Sequence, residues 1–113
     1  GNRVWDAALF FIEYLRKCDG LADCIVDLGA GTGVVGLACH ILGSAVVCLT
    51  DIASQLPLLE MNASANKVGP GQIIVEELDW RCHQQSKDVA SKLHGESLFI
   101  LCGEVLYPRG AQE

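Results

Sequence analysis

The fold of this chain is decided by one stretch, Cys24-Ile25-Val26-Asp27-Leu28-Gly29-Ala30-Gly31-Thr32-Gly33-Val34-Val35-Gly36. It is typical of a short buried strand that ends at an acidic residue, turns on alternating glycines and starts a helix. Glycine suits such a turn because it tolerates a sharply bent backbone and lets a ligand approach main-chain N–H groups closely. The stretch therefore predicts the first strand, a ligand-binding turn and the first helix of an α/β unit.

Apolar runs and helical patterns alternate along the rest of the chain. Strands are predicted at 24–28, 45–50, 72–78 and 98–102, and helices at about 6–17, 33–42, 54–67 and 87–93. This alternation indicates right-handed crossovers and a parallel sheet. Only four strands fit, whereas doubly wound nucleotide-binding sheets usually have roughly six, and the fourth strand would be left with an unpaired edge. We expect one incomplete domain over 1–113, with an N-terminal helix in 1–20 and the first four strands of the core in 21–113.

The composition is that of a packed domain and argues against several classes of protein. Half of the residues are hydrophobic, the net charge is −6, and the eight basic residues are scattered, so no nucleic-acid partner is expected, because phosphate neutralisation needs clustered Lys and Arg. No apolar run approaches the ~18 residues of a membrane span, and we expect no secretory signal. The six cysteines form no CxxC pair, which favours buried, reduced thiols over a metal site. We expect a cytoplasmic protein, with the nucleus as a second location; its oligomeric state is left open.

A carboxylate closes the second predicted strand and points to a ribose-containing cofactor. Asp51 follows the apolar run 45–50, where a carboxylate can hold both ribose hydroxyls. Residues 31–36 match the dinucleotide pattern G-x-G-x-x-G literally, so NAD is one candidate. However, the glycine that follows the strand is Gly29, and Asp27 two residues before it would repel a pyrophosphate. The same charge would attract the ammonium and sulfonium groups of S-adenosylmethionine, which favours that cofactor.

Five blocks in a fixed order extend the pattern over nearly the whole chain. They are Val4-Trp5-Asp6-Ala7-Ala8, Asp27-Leu28-Gly29-Ala30-Gly31-Thr32-Gly33, Leu49-Thr50-Asp51, Leu78-Asp79-Trp80 and Glu104-Val105-Leu106-Tyr107. Together with Leu58-Leu59-Glu60-Met61-Asn62 and Asn66, they resemble methyltransferase family 16, a lysine methyltransferase branch of the class I, seven-β-strand enzymes. The resemblance implies a Rossmann-like parallel sheet, of which this chain would carry the N-terminal part. It also implies S-adenosylmethionine as the cofactor, a lysine-bearing protein as the substrate, and no metal.

The resemblance also implies a role for individual residues in cofactor binding. Gly29, Ala30 and Gly31 would line the methionine and ribose portion, and Asp51 would bind the ribose hydroxyls. Trp80 would lie beside the adenine, Trp5 would close over the cofactor from the N-terminal helix, and Gly103 would lie against it. Without the resemblance, Trp5 fits a core anchor and Trp80 a strand cap equally well.

The catalytic residues implied by the resemblance are Glu104 and Tyr107. The signature Asp-x-x-Tyr of this branch appears here as Glu104-Val105-Leu106-Tyr107, with a carboxylate that is one methylene longer. The target amine must arrive neutral and in line with the methyl–sulfur bond, although a free lysine has a pKa of ~10.4. Glu104 would steer the amine and Tyr107 would bound its pocket. Two alternatives remain open: a non-catalytic cofactor-binding fragment, and a class I methyltransferase with an acceptor other than lysine.

Overall fold

A computed structural model of the chain describes residues 13, 14, 17, 23–93 and 98–101. In these residues four strands form one sheet: β1 (Cys24–Asp27), β2 (Val46–Asp51), β3 (Gln72–Glu77) and β4 (Leu98–Leu101). Their order is β3-β2-β1-β4, and every neighbouring pair is parallel. The order of the strands reverses at β1, and the carboxyl ends of strands at such a switch point are where open α/β sheets bind their ligands. The predicted α/β architecture with a parallel sheet is confirmed.

Three helices are described in full: α1 (Val34–Ile41), α2 (Leu56–Asn66) and α3 (His83–Ser91). A 3₁₀ turn at Ala53–Gln55 precedes α2, so the helix predicted from residue 54 begins with a tighter turn. The helix predicted at 87–93 begins a full turn earlier, at His83. Its first turn is polar and offers no apolar periodicity, which is why the pattern placed the start too late. Of the predicted N-terminal helix, Glu13, Tyr14 and Lys17 are described and helical; its other residues, and Cys102 at the end of the predicted fourth strand, lie outside the described residues.

The helices cover both faces of the sheet. On one face Ile25, Val47 and Leu49 pack against α1 and α2 through residues such as Leu37 and Leu59. On the other face α3 covers a cluster made of Val26, Cys48, Leu78 and Val89. Neighbouring residues of a strand point to opposite faces, so strands covered on both faces contain continuous apolar runs. This explains why β1 and β2 could be recognised from composition alone.

Three of the cysteines predicted to be buried lie in these clusters or beside them. Cys24, Cys39 and Cys48 are each at most 2% exposed. Burial, with a smaller contribution from the charge of Asp27, raises the pKa of the Cys39 thiol to about 11. Burial, with the charge of Glu76 as the next cause, raises the pKa of the Cys48 thiol to about 12. Cys39 and Cys48 are therefore protonated and chemically inert near neutral pH.

The described part of the chain contains neither a membrane-spanning helix nor a metal-binding cluster. None of the helices there has the length and apolarity needed to cross a membrane. No group of three or more His, Cys, Asp or Glu side chains in the same residues is arranged to hold a metal ion.

The contact between α1 and β2 depends on a glycine. A Cβ atom on Gly36 would collide with Leu49 Cδ2 and lie 3.2 Å from Val47 Cγ1. We expect Gly36→Ala to lower the free energy of unfolding by about 1–3 kcal/mol, the usual cost of overpacking, partly offset by the better helix propensity of alanine. Urea unfolding of a double-mutant cycle checks this prediction. Leu49→Val removes the colliding Cδ2 atom, so its combination with Gly36→Ala should cost clearly less than the sum of the two single changes; simple additivity would contradict the proposed clash.

Candidate functional site

The turn that follows β1 has a backbone that favours glycine at alternate positions. The φ angles of Gly29 and Gly31 are both +61°, and that of Gly33 is +84°. A residue with a Cβ atom pays roughly 1–2 kcal/mol in this left-handed region. At Gly33 a Cβ atom would also lie 3.0 Å from Leu59 Cδ2. The glycine turn, as we call residues 28–33, therefore has the bent shape that the sequence predicted.

Asp27 ties the end of β1 to the start of α1. Its side chain is buried, with 4% of the residue exposed, and its Oδ2 accepts a hydrogen bond from the Gly36 amide at 3.2 Å. A negative charge is favourable in the first turn of a helix, where amide groups lack helical partners. Asp27 therefore fixes where the glycine turn ends and α1 begins. The predicted attraction of a cofactor cation to its charge stays a prediction.

Asp51 lies directly against the glycine turn. Its Oδ2 accepts a hydrogen bond from the Gly31 amide at 2.9 Å, and its Oδ1 accepts one from the Ile52 amide at 2.7 Å. An ionised carboxylate offers about four acceptor positions, so lone pairs remain for further donors such as ribose hydroxyls. The structure thus brings together Gly31 and Asp51, two residues that the sequence singled out independently.

Two further hydrogen bonds reinforce this junction between β1 and β2. The Ala30 amide donates to the Thr50 carbonyl at 2.8 Å, and the Thr50 hydroxyl donates to the Asp27 carbonyl at 2.9 Å. Thr50 is fully buried, so these bonds are shielded from competition with water. The glycine turn is therefore held in place before any ligand arrives.

The loop after β3, residues 78–81, carries Trp80 to the same edge of the sheet. The Leu78 amide donates to the Asp51 carbonyl at 2.8 Å, which anchors the loop to the end of β2. Trp80 is 56% exposed and lines an apolar groove of about 410 Å³ together with residues that include Leu28, Leu93 and Ile100. An exposed indole face of this kind offers stacking area to an aromatic ligand.

Asp79 and Arg81 form an ion pair in this loop. Arg81 donates from Nε to Oδ1 of Asp79 at 3.0 Å and from Nη2 to Oδ2 at 2.8 Å. These side-chain hydrogen bonds, followed by one from the Arg81 backbone amide, lower the pKa of Asp79 to about 2. Asp79 is therefore ionised throughout the physiological range, and its carboxylate is oriented by a bidentate contact.

Three further residues of the site were not assigned a role from the sequence. Ile52 follows Asp51 and is 49% exposed at the edge of the site. Asn62 of α2 donates from Nδ2 to the Thr32 carbonyl at 2.7 Å and so supports the glycine turn. Gln85 of α3 accepts a hydrogen bond from the Asp79 amide at 2.7 Å. The one signal in the sequence for a role of Asn62 was its place in the block 58–62, which is part of the family resemblance.

Four predicted site residues lie outside the described residues: Trp5, Gly103, Glu104 and Tyr107. Their roles stay predictions. Gly29, Ala30, Gly31, Asp51 and Trp80 are all placed at the carboxyl ends of β1, β2 and β3, and Asp27 lies just beneath them.

Comparison with known proteins places this chain in a family. The profile of a family described as lysine methyltransferase matches residues 1–111. EEF1A lysine methyltransferase 3 of Xenopus tropicalis is 35% identical over 106 residues, which cover 92% of this chain and 44% of the relative. Protein N-lysine methyltransferase METTL21A of Mus musculus is 38% identical over 109 residues, covering 92% of this chain and 47% of the relative. Methyltransferase-like protein 22 of Mus musculus is 28% identical over 124 residues, covering 95% of this chain and 31% of the relative. The chain thus spans less than half the length of these relatives.

Proposed function

The chain belongs to the lysine methyltransferase family, and from that premise we propose that it binds S-adenosylmethionine and serves the transfer of a methyl group to a lysine side chain of a protein. The observation that carries this proposal is the 2.9 Å hydrogen bond between the Gly31 amide and the Asp51 carboxylate. It puts a carboxylate suited to ribose hydroxyls beside a glycine turn suited to close backbone approach.

The order of the strands supports the fit of this cofactor. Along the sheet, Trp80 follows β3, Asp51 ends β2 and the glycine turn follows β1. Adenine, ribose and methionine succeed one another in the cofactor in the same order. We therefore assign the adenine to Trp80, the ribose to Asp51 and the methionine portion to Gly29, Ala30 and Gly31. The buried negative charge of Asp27 beneath the turn would favour a cationic ligand there.

The cofactor supplies a methyl group bound to a positively charged sulfur, so the protein must present a neutral amine to it. Glu104 and Tyr107 follow β4 in the sequence, and β4 pairs with β1, the strand that leads into the glycine turn. We assign to the Glu104 carboxylate a hydrogen bond from the lysine amine, which orients the nitrogen lone pair toward the methyl group, and the role of acceptor for the proton that the amine loses. Tyr107 would bound the lysine pocket and keep water out of it.

The acceptor is best sought among proteins with exposed lysine side chains. The names of EEF1A lysine methyltransferase 3 and protein N-lysine methyltransferase METTL21A state that these relatives act on lysine, which favours lysine over other acceptors. The net charge of −6 complements a basic, lysine-bearing segment better than a nucleic acid. As for the location of the enzyme itself, we propose the cytoplasm, with the nucleus as a second location.

Calorimetric titration of the purified protein tests the cofactor directly. We expect saturable binding of S-adenosylmethionine and none of NADH, because the charge of Asp27 opposes a pyrophosphate. Circular dichroism of the same sample serves as the control for folding. Saturable NADH binding without S-adenosylmethionine binding would overturn the proposal and restore the dinucleotide interpretation. A folded protein that binds neither ligand would favour the alternative interpretation, a non-catalytic fragment.

A further inference from the structure

The side chain of Gln85 reaches back from the first turn of α3 to the loop at 78–81. Its Oε1 accepts a hydrogen bond from the Asp79 amide at 2.7 Å, and its Nε2 donates to Glu77 Oε2 at 2.9 Å. The two partners fix the orientation of the side-chain amide. A flipped amide would set donor against donor at Asp79 and acceptor against acceptor at Glu77.

The Asp79 amide, which donates to Gln85, lies one residue before Trp80. With 56% of its surface exposed, Trp80 is not fixed by burial, so its place depends on the backbone that carries it. Three other hydrogen bonds hold that backbone. The Leu78 amide donates to the Asp51 carbonyl, the Cys82 amide donates to the Asp79 carbonyl, and the Arg81 amide donates to Asp79 Oδ1. Of these contacts, only the one between the Asp79 amide and Gln85 joins the loop to a side chain of α3.

We propose that Gln85 is a positioning residue for the adenosine end of the cofactor: by holding the Asp79 amide, it sets where the Trp80 indole lies relative to Asp51. This inference rests on the function proposed above, in which Trp80 and Asp51 hold the adenine and the ribose. Its physical basis is preorganisation, since a loop already held in the binding conformation loses less conformational freedom when the ligand binds. Gln85 itself does not touch the ligand.

An exchange of donor and acceptor gives a sharp test. In Gln85→Glu, the new carboxylate would face the carboxylate of Glu77, and like charges repel. We expect the side chain to leave the Asp79 amide and the Kd for S-adenosylhomocysteine to rise about tenfold, the scale of one lost hydrogen bond. In the double variant Glu77→Gln/Gln85→Glu, the new amide can donate to the new carboxylate, whose second oxygen can accept from Asp79. We expect this exchange to restore the Kd to within about twofold of the wild-type value.

Gln84 provides a matched control on the same helix. Its Nε2 donates to Asp88 Oδ1 at 2.9 Å on the exposed side of α3. Gln84→Glu therefore creates the same kind of carboxylate repulsion one residue away, without touching the loop at 78–81. Its Kd for S-adenosylhomocysteine should equal that of the wild type.

Calorimetry with S-adenosylhomocysteine and thermal melting of all four proteins separate the outcomes. Weaker binding by Gln85→Glu, rescue by the exchange, and wild-type binding by Gln84→Glu would establish the positioning role. Equal affinities in all four proteins would overturn it and leave the proposed function intact. Weaker binding without rescue by a folded double variant would also overturn it, because the carboxylate at position 85 and not the lost contact would then be the cause. A wild-type protein that binds no S-adenosylhomocysteine would overturn the proposed function, and this inference with it.

Discussion

Asp51→Ala is expected to weaken binding of S-adenosylmethionine by at least about a hundredfold. The carboxylate is assigned to both ribose hydroxyls. A hydrogen bond to a charged group contributes ~1.5–3 kcal/mol. The loss of two such hydrogen bonds therefore exceeds the ~2.7 kcal/mol that corresponds to a hundredfold change in Kd. The same substitution removes the acceptor of the Gly31 amide, which loosens the glycine turn and adds to the loss. Calorimetric titration with S-adenosylmethionine measures the effect.

Two further variants show whether the effect belongs to this carboxylate. Asp51→Asn keeps one oxygen and the size of the side chain, so its affinity should fall between those of the wild type and Asp51→Ala. Glu60→Ala removes the same charge from the exposed side of α2 and should bind as the wild type does. An Asp51→Ala protein that is folded and binds within about threefold of wild type would remove Asp51 from the ribose site.

Glu104→Gln is expected to slow methyl transfer by about 10²–10⁴-fold while leaving the affinity for S-adenosylmethionine unchanged. The range is the usual contribution of a group that handles a proton in the transition state. Glutamine keeps the size of the side chain but cannot take a proton from the amine, so the loss should fall on transfer and not on cofactor binding. Transfer of tritiated methyl groups to proteins of a cell extract, followed by identification of methyllysine, measures the rate.

A variant whose carboxylate side chain is one methylene shorter provides the control for Glu104. Glu104→Asp restores the Asp-x-x-Tyr signature of the family and should keep transfer within about tenfold of wild type. Full transfer activity in Glu104→Gln would show that another group handles the amine. Loss of S-adenosylmethionine binding in the same variant would reassign Glu104 to the cofactor site.

The sequence was informative wherever a physical constraint admits few residue types. The positive φ angles at 29, 31 and 33 favour glycine strongly, so the turn could be recognised from its glycines. β1 and β2 are covered on both faces, which requires apolar residues at successive positions. The resemblance of the ordered blocks then supplied the family, which the comparison confirmed over residues 1–111.

The parts that sequence could not supply depend on polar residues of ordinary appearance. The start of α3 was missed because His83 and the glutamines after it carry no apolar period. The bond from Asn62 to Thr32 joins residues 30 positions apart, and nothing in either residue type predicts it. The contact between Gln85 and Asp79 is equally invisible, since glutamine on a helix is most often a solvated side chain.

The strand order β3-β2-β1-β4 bears on how the polypeptide assembles. β1, β2 and β3 join in succession across short connections that contain α1 and α2, whereas β4 reaches β1 only after β3 and α3 have been completed. Contacts between distant positions carry a larger loop-closure entropy and form more slowly than local ones. The glycine turn, Asp51 and Trp80 all precede β4, so a chain emerging from the ribosome would assemble these proposed cofactor-binding residues first. Of the four described strands, the one that leads to Glu104 would pair last, so the residues proposed to bind the cofactor would be in place before the proposed catalytic residue reaches the sheet.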